Sequence, residues 1–394
     1  MSVDPSALAR HYTRFRVAER MLLTGHSHQA WPDVGFAAQQ QAWLDAAELV
    51  DDKWDRAFAQ ADRVRAGFAR LLDAPDGDIT LASSTHDLVV RFLSALPLGR
   101  RPRLVTTDGE FHTVRRQLDR LSEEGIEIVR VPSRPVTQIA ERLKKIVTDR
   151  TAAVLVSAVL YENAHIVPNL GLAMDACQRL GVALLVDAYH ALNVVPFSLQ
   201  SERLLDAFVV GGGYKYCQLG EGNAFLRIPK DCTLRPVVTG WFSEFAELSR
   251  PPFAGQVPYG AGAARFAGAT YDPTSHYRAA AVFDFFEQQG LNPTALREVS
   301  QHQVGLLARE FDALDLDPNV IDRDRRSAPL ESIGGFLSLR APRAEAISRA
   351  LRERGVWTDH RGESLRLGPA PYVSDDQLRA ALVALKGVTS SPLP

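Results

Sequence analysis

Cysteine is scarce in this chain: Cys177, Cys217 and Cys232 are the whole complement in 394 residues. The number is odd and the spacings are not those of a metal site, so neither a disulfide framework nor a structural zinc centre is expected. Free thiols suit a reducing compartment. No apolar run approaches the ~20 residues that span a bilayer. Met1 to Arg20 carries scattered charge without an apolar core, unlike a secretory signal. Charge of one sign is missing too. The 45 basic and 47 acidic residues leave a net charge of −2, which gives no field for nucleic acid and no polybasic membrane anchor.

What is present is ordinary for a globular chain, 46% hydrophobic and 23% charged. That is too apolar for disorder and long enough for one domain of roughly 250 residues plus a smaller one. A cytoplasmic enzyme acting on a small molecule, with neither nucleic acid nor membrane as partner, is the expectation.

Periodicity divides the chain. Residues 1–36 read as an arm ending in an irregular stretch, Thr24 to Pro32. From Ala37 to Leu72 the residues Trp43, Leu44, Ala47, Trp54, Phe58, Ala61 and Phe68 recur at helical spacing, as two helices broken near Asp51-Asp52. Short apolar runs follow at Ile79–Ala82, Leu104–Thr106, Glu127–Val131, Ala152–Ser157, Ala183–Asp187 and Ala207–Gly211. Helical stretches lie between them, including Thr113–Glu124, Val136–Ile146 and Leu172–Leu180, the last closed by Gly181. Alternation of this kind predicts an α/β fold with a mostly parallel sheet covered on both faces. A Pro- and Gly-rich loop, Arg250 to Asp272, precedes a helix over Tyr277–Gln289. The large domain is thus expected over 37–290 and a smaller α+β domain over 291–388. A disordered tail is expected over 389–394.

Ligands in such sheets bind at the carboxyl ends of strands, which draws attention to four segments. Gly211-Gly212-Gly213-Tyr214-Lys215-Tyr216 places a lysine beside glycines, which allow close backbone approach to a ligand. A desolvated lysine has a lowered pKa and a free amine able to form an imine; otherwise this is a surface turn. Asp187, in Val186-Asp187-Ala188-Tyr189-His190, is an acid directly after a buried run and calls for a cationic partner, unless it caps a helix. Ser83-Ser84-Thr85 opens a helical stretch, where hydroxyls and free N–H groups bind phosphate or serve as a plain N-cap. Phe111, in Asp108-Gly109-Glu110-Phe111-His112-Thr113, stacks on a planar ring or belongs to the core.

Taken in order, the four segments resemble fold-type I enzymes that use pyridoxal 5′-phosphate (PLP), in the class V aminotransferase group. Within that group the chain most resembles kynureninase. The likeness rests on Asp187-Ala188-Tyr189-His190 with Asn193-Val194-Val195-Pro196, and on Gly213-Tyr214-Lys215-Tyr216. It extends through Gly240-Trp241-Phe242, Arg265-Phe266 with Gly268-Ala269-Thr270, and Leu365-Arg366-Leu367-Gly368 with Pro371-Tyr372. The resemblance implies PLP as cofactor, held as an imine by Lys215, the catalytic residue. It implies Asp187 on the pyridine nitrogen with His190 in support, and Phe111 against the ring. Phosphate falls to Ser84, Thr85 and Tyr214, with Trp241 and with Thr270 from a partner subunit. Arg366 takes the α-carboxylate of an amino-acid substrate. Apart from the resemblance, Tyr161 and His26 are candidate substrate contacts. The resemblance further implies a homodimer with shared sites, and hydrolytic Cβ–Cγ cleavage. An aminotransferase or a carbon–sulfur lyase is the alternative.

The departures lie on the substrate side. The acid expected soon after the Phe-x-Thr segment is absent, since Val114 follows Thr113. The N-terminal stretch reads Gly25-His26-Ser27-His28-Gln29, so His26 and His28 are new substrate contacts or simply loop residues. The segment expected to face the aryl ring reads Thr270-Tyr271-Asp272-Pro273.

Overall fold

The computed structural model describes residues 3–74, 77–248, 255–322 and 328–390, without the Glu247 side chain. An N-terminal arm holds α1 (Pro5–Ala9) and β1 (Met21–Leu22), followed by the long helices α2 (Val34–Leu49) and α3 (Lys53–Leu71). The alternating part then runs β2 (Asp78–Ala82), α4 (Thr85–Ser94), β3 (Arg103–Thr107), α5 (His112–Glu123), β4 (Glu127–Val131), α6 (Ile139–Ile146), β5 (Thr151–Ser157), α7 (Gly171–Leu180), β6 (Ala183–Asp187), β7 (Phe208–Gly212) and β8 (Ala224–Ile228). Gly181 closes α7 at φ 60°, the left-handed position where glycine carries no Cβ penalty.

Seven strands form one sheet in the order β2-β8-β7-β6-β5-β3-β4. β8 is antiparallel to both of its neighbours, β2 and β7, while the other pairs are parallel. All strands but β8 therefore point the same way, and their carboxyl ends share one edge. Alternate side chains feed different cores, as the two-residue strand period requires. Val154 and Val156 of β5 join one apolar cluster, whereas Ala153 and Leu155 join the other. Each fully buried valine or leucine contributes about 1.5–3 kcal/mol relative to exposure, so this sheet is a rigid platform.

After β8 come α8 (Thr274–Gln288) and α9 (Pro293–Ala313), the latter capped by Asn292 with Pro293 in its first turn. The C-terminal unit adds β9 (Leu337–Arg340), α10 (Ala344–Glu353), β10 (Val356–Trp357), β11 (Asp359–Arg361), β12 (Ser364–Leu367) and α11 (Asp375–Thr389). β11, β12 and β9 make an antiparallel sheet, and β10 pairs in parallel with β1 of the arm. A Ser374–Gln377 capping box starts α11.

Three expectations need adjustment. The strand Ala224–Ile228 was not anticipated. The helical spacing of Trp43 and Leu44 does mark a helix, α2, but leaves its covering open: the two are 78% and 57% exposed. Thr389 closes α11 rather than opening a tail; residues 391–394, like 250–254 of the Pro- and Gly-rich loop, lie outside the described residues.

Candidate active site

The shared carboxyl edge gathers the predicted residues. Thr85, at the start of α4, meets Phe111 from the β3–α5 turn and Tyr161 from beyond β5. Asp187 and His190 follow β6, and Tyr214 and Lys215 follow β7; all seven line one narrow cleft. The segment after β7 is held by backbone bonds, Gly213 N–H to Asn223 C=O (2.8 Å) and Leu219 N–H to Gly213 C=O (2.9 Å). The three glycines before Lys215 do not face a ligand. A Cβ on Gly211 would meet Leu192, one on Gly212 would meet Tyr189, and one on Gly213 would meet Leu219, each within 2.7 Å. Their role is close packing that fixes where Lys215 emerges.

Lys215 is buried, with Nζ 2.6 Å from His190 Nε2. Nζ also lies 4.7 Å from the Tyr189 ring centroid and 5.4 Å from that of Phe111. Burial pushes its pKa down to about 7, against the opposing pull of Asp187. His190 is held neutral by burial and then by the Lys215 charge, and its Nδ1 is buried without a hydrogen-bond partner. Asp187 accepts the Tyr189 N–H at 2.9 Å and faces the cleft. Burial raises its pKa; the Tyr189 N–H and the Lys215 ammonium act in the other direction.

The substrate side is differently built. Arg366 on β12 is buried and already engaged: Nε and Nη2 donate to Asp359 Oδ1 (2.9 and 2.5 Å), and Nη1 donates to Tyr161 C=O (2.7 Å). Asp359 is held below the usual carboxylate range by His26 and Arg366 despite its burial. His26 is fully buried, with Nε2 4.0 Å from Asp359 Oδ1 and its ring 4.4 Å from Phe336. Burial, then Arg366, lowers its pKa to about 3. His28 is exposed and stacks on Tyr214, with centroids 5.0 Å apart.

Five expected residues do not line this cleft within one chain: Arg366 and His26, and on the cofactor side Ser84, Trp241 and Thr270. Ser84 serves as N-cap of α4, accepting the Asp87 N–H at 3.2 Å. Trp241 is 44% exposed among Phe242 and Phe245. Thr270 lies in a separate cavity of about 700 Å³ that Ser83 and Arg91 also line. Two residues in the site went unnoticed in the sequence. Asp359 pairs with Arg366 only through the β11–β12 hairpin. Glu110 precedes Phe111, and its burial was the missing signal.

No protein-family model matches the chain. It is 24% identical over 346 residues to an uncharacterized aminotransferase, YcbU of Bacillus subtilis, covering 87% of each. It is 25% identical over 353 residues to a kynureninase of Geobacillus thermodenitrificans, covering 84% of this chain and 78% of that protein. The fold matches an apo cysteine desulfurase from Thermococcus onnurineus with a TM-score of 0.81 at 15% identity, over 99% of this chain and 100% of the other. It also matches C-DES bearing glycine covalently linked to its PLP cofactor, with a TM-score of 0.80 at 17% identity over 96% and 98%.

The chain is thus similar in sequence to class V aminotransferase-like proteins, a kynureninase among them. Its architecture is the fold-type I arrangement, and the expected α/β reading holds. The cleft carries the groups that PLP calls for: a buried primary amine, a carboxylate in its wall with the pKa raised by burial, an adjacent aromatic ring, and a hydroxyl at a helix N-terminus. The unpartnered His190 Nδ1 adds a polar atom available to the same group.

Proposed function

We propose that this protein is a PLP-dependent hydrolase of the kynureninase type. It cleaves the Cβ–Cγ bond of an aryl-γ-keto amino acid, kynurenine or 3-hydroxykynurenine, to give alanine and an aromatic acid. The observation that carries this reading is one cleft in which a buried, partly neutral Lys215 stands beside Asp187 and Phe111, with Arg366 bonded to the carbonyl of Tyr161, a residue of the cleft wall. Lys215, Asp187, His190, Phe111, Thr85 and Tyr214 would hold the cofactor. PLP bound there supplies an electron sink for charge developing at the substrate's Cα and Cβ.

The chain's own groups supply the rest. With a pKa near 7, Lys215 is largely uncharged in mildly alkaline solution, so Nζ can act as nucleophile and then take a proton from Cα. The 2.6 Å contact with His190 fixes the direction of Nζ. Arg366 keeps N–H groups beyond those given to Asp359 and Tyr161, and these fit a carboxylate. The rings of Phe111, Tyr161 and His112, with centroids 5.3–5.4 Å apart, supply an apolar wall suited to an aryl side chain. Against desulfurase chemistry stands the absence of a cysteine from the described cleft lining, and burial pushes the Cys177 and Cys217 thiols up.

A two-fold dimer belongs to the same proposal. Trp241, Phe245 and Leu248 are apolar and 44–52% exposed, which suits a face covered by a partner, and Thr270 would reach that partner's cofactor. Light scattering of the purified protein should give twice the chain mass. The length shared with the YcbU aminotransferase favours transamination as the second reading. The deciding assay supplies PLP-loaded protein with L-kynurenine and 3-hydroxy-L-kynurenine, without keto acid. Alanine and a fluorescent anthranilate are expected; turnover that requires added keto acid would replace the hydrolase with the aminotransferase.

A further inference from the structure

Beneath the cleft lies a second carboxylate that the reaction above does not use. Glu110 sits in the turn after β3, immediately before Phe111, and is 4% exposed. Its Oε1 accepts from Thr107 Oγ1 at 2.6 Å, and its Oε2 accepts from Ser157 Oγ at 2.6 Å. Thr107 Oγ1 in turn accepts the Gly109 N–H at 3.1 Å, which leaves its own hydrogen for Glu110. Ser157 ends β5 directly opposite Asp187 at the end of β6, and the Ala158 N–H donates to Asp187 C=O at 2.8 Å. Two donors on two oxygens suit an ionised carboxylate; a carboxamide in the same seat would set its NH₂ against one of them.

A buried acid is costly, and burial raises the Glu110 pKa to about 7, resisted by Ser157 and Thr107 and reinforced by Asp187. The groups facing it are therefore the two hydroxyls, the Ser157 N–H and the Asp187 carboxylate. Such an arrangement is expensive for a spacer and useful for a field, since an ionised neighbour makes any proton held on Asp187 or its partner harder to remove.

We propose that Glu110 is a positioning residue whose negative charge acts through Asp187 to keep the ring nitrogen of the bound cofactor protonated. The inference rests on the PLP reading above and concerns Glu110 alone. It assigns this carboxylate to the support of the electron sink, with Ser157 and Thr107 as the pair that keeps it charged.

The test is ring-¹⁵N-labelled PLP bound to wild-type protein, Glu110→Gln and Ser157→Ala, with the nitrogen resonance followed from mildly acid to alkaline pH. The Gln variant should release the ring proton about one pH unit lower than wild type, a shift of about tenfold in acidity. Ser157→Ala, which weakens the ionised form of Glu110, should shift it the same way by less. Circular dichroism separates misfolding from titration, and if the Gln variant does not fold, the Ser157→Ala result decides alone. Ring titrations superimposed on wild type in the folded variants would overturn the inference while leaving the PLP reading intact. Wild-type protein that acquires no PLP resonance would overturn both.

Discussion

The two sides of the cleft are built on opposite principles. On the sheet side, Lys215, Asp187 and Glu110 rise from the carboxyl ends of β7, β6 and β3 and carry more desolvation than pairing, so their pKa values move toward neutrality. On the C-terminal side, Arg366 and Asp359 satisfy one another at 2.5 Å, and the Asp359 pKa moves the other way. One side keeps charge poised to change; the other keeps it fixed. A proton-transfer site needs the first, and recognition of a permanent anion needs the second.

Four measurements would break or sharpen that contrast. Lys215→Ala should remove turnover, a loss of about 10³-fold or more as for other nucleophile deletions, together with the bound-cofactor absorbance; retained activity would end the reading of this cleft as the reaction site. Arg366→Met should raise KM far more than it lowers kcat. Loss of a charge-assisted bond worth about 1.5–3 kcal/mol corresponds to about 10- to 150-fold. An equal fall in kcat with KM unchanged would move Arg366 from recognition into the chemistry.

Lysine free in the unfolded chain titrates at about 10.4, whereas Lys215 in the fold titrates at about 7. Between those values the unfolded chain binds the extra proton, so stability of the cofactor-free protein should rise with pH across that window. Lys215→Met should flatten this slope and raise Tm at neutral pH. A slope identical in both proteins would mean that Lys215 is not desolvated. Smallest of all, Ser374→Ala removes the N-cap of α11 and should cost about 1 kcal/mol in urea unfolding, without changing the cofactor spectrum.

The same contrast explains what the sequence discloses. Strand runs such as Ala183–Asp187 are buried on both faces and stand out as unbroken apolar stretches, so the sheet and the residues at its edge were legible. The strand Ala224–Ile228 was not, because Asn223, Arg227 and Pro229 around it resemble loop chemistry; Arg227 is in fact buried, donating to the Leu205 and Ala207 carbonyls. The helix of Trp43 and Leu44 was legible as a helix but not as an exposed one, since periodicity reports a face and not what covers it. Arg366 was visible through its motif. Asp359 was not, because only the hairpin register sets Asp359 opposite Arg366. Glu110 illustrates the same limit, because the cost of burying an acid appears only after folding.

The arm contributes a mechanical consequence. Leu23 exchanges backbone bonds with Trp357 and Gly368 at 2.8 Å, the Gly25 N–H reaches Gly368 C=O at 2.7 Å, and the Gln377 side chain donates to the carbonyls of Val17 and Arg20. The chain's beginning is thus stitched to the strand and helix that flank Arg366. His26 and Arg366 are therefore carried on one stitched body at fixed spacing, and any displacement of that body would change the distance of both to Lys215 together.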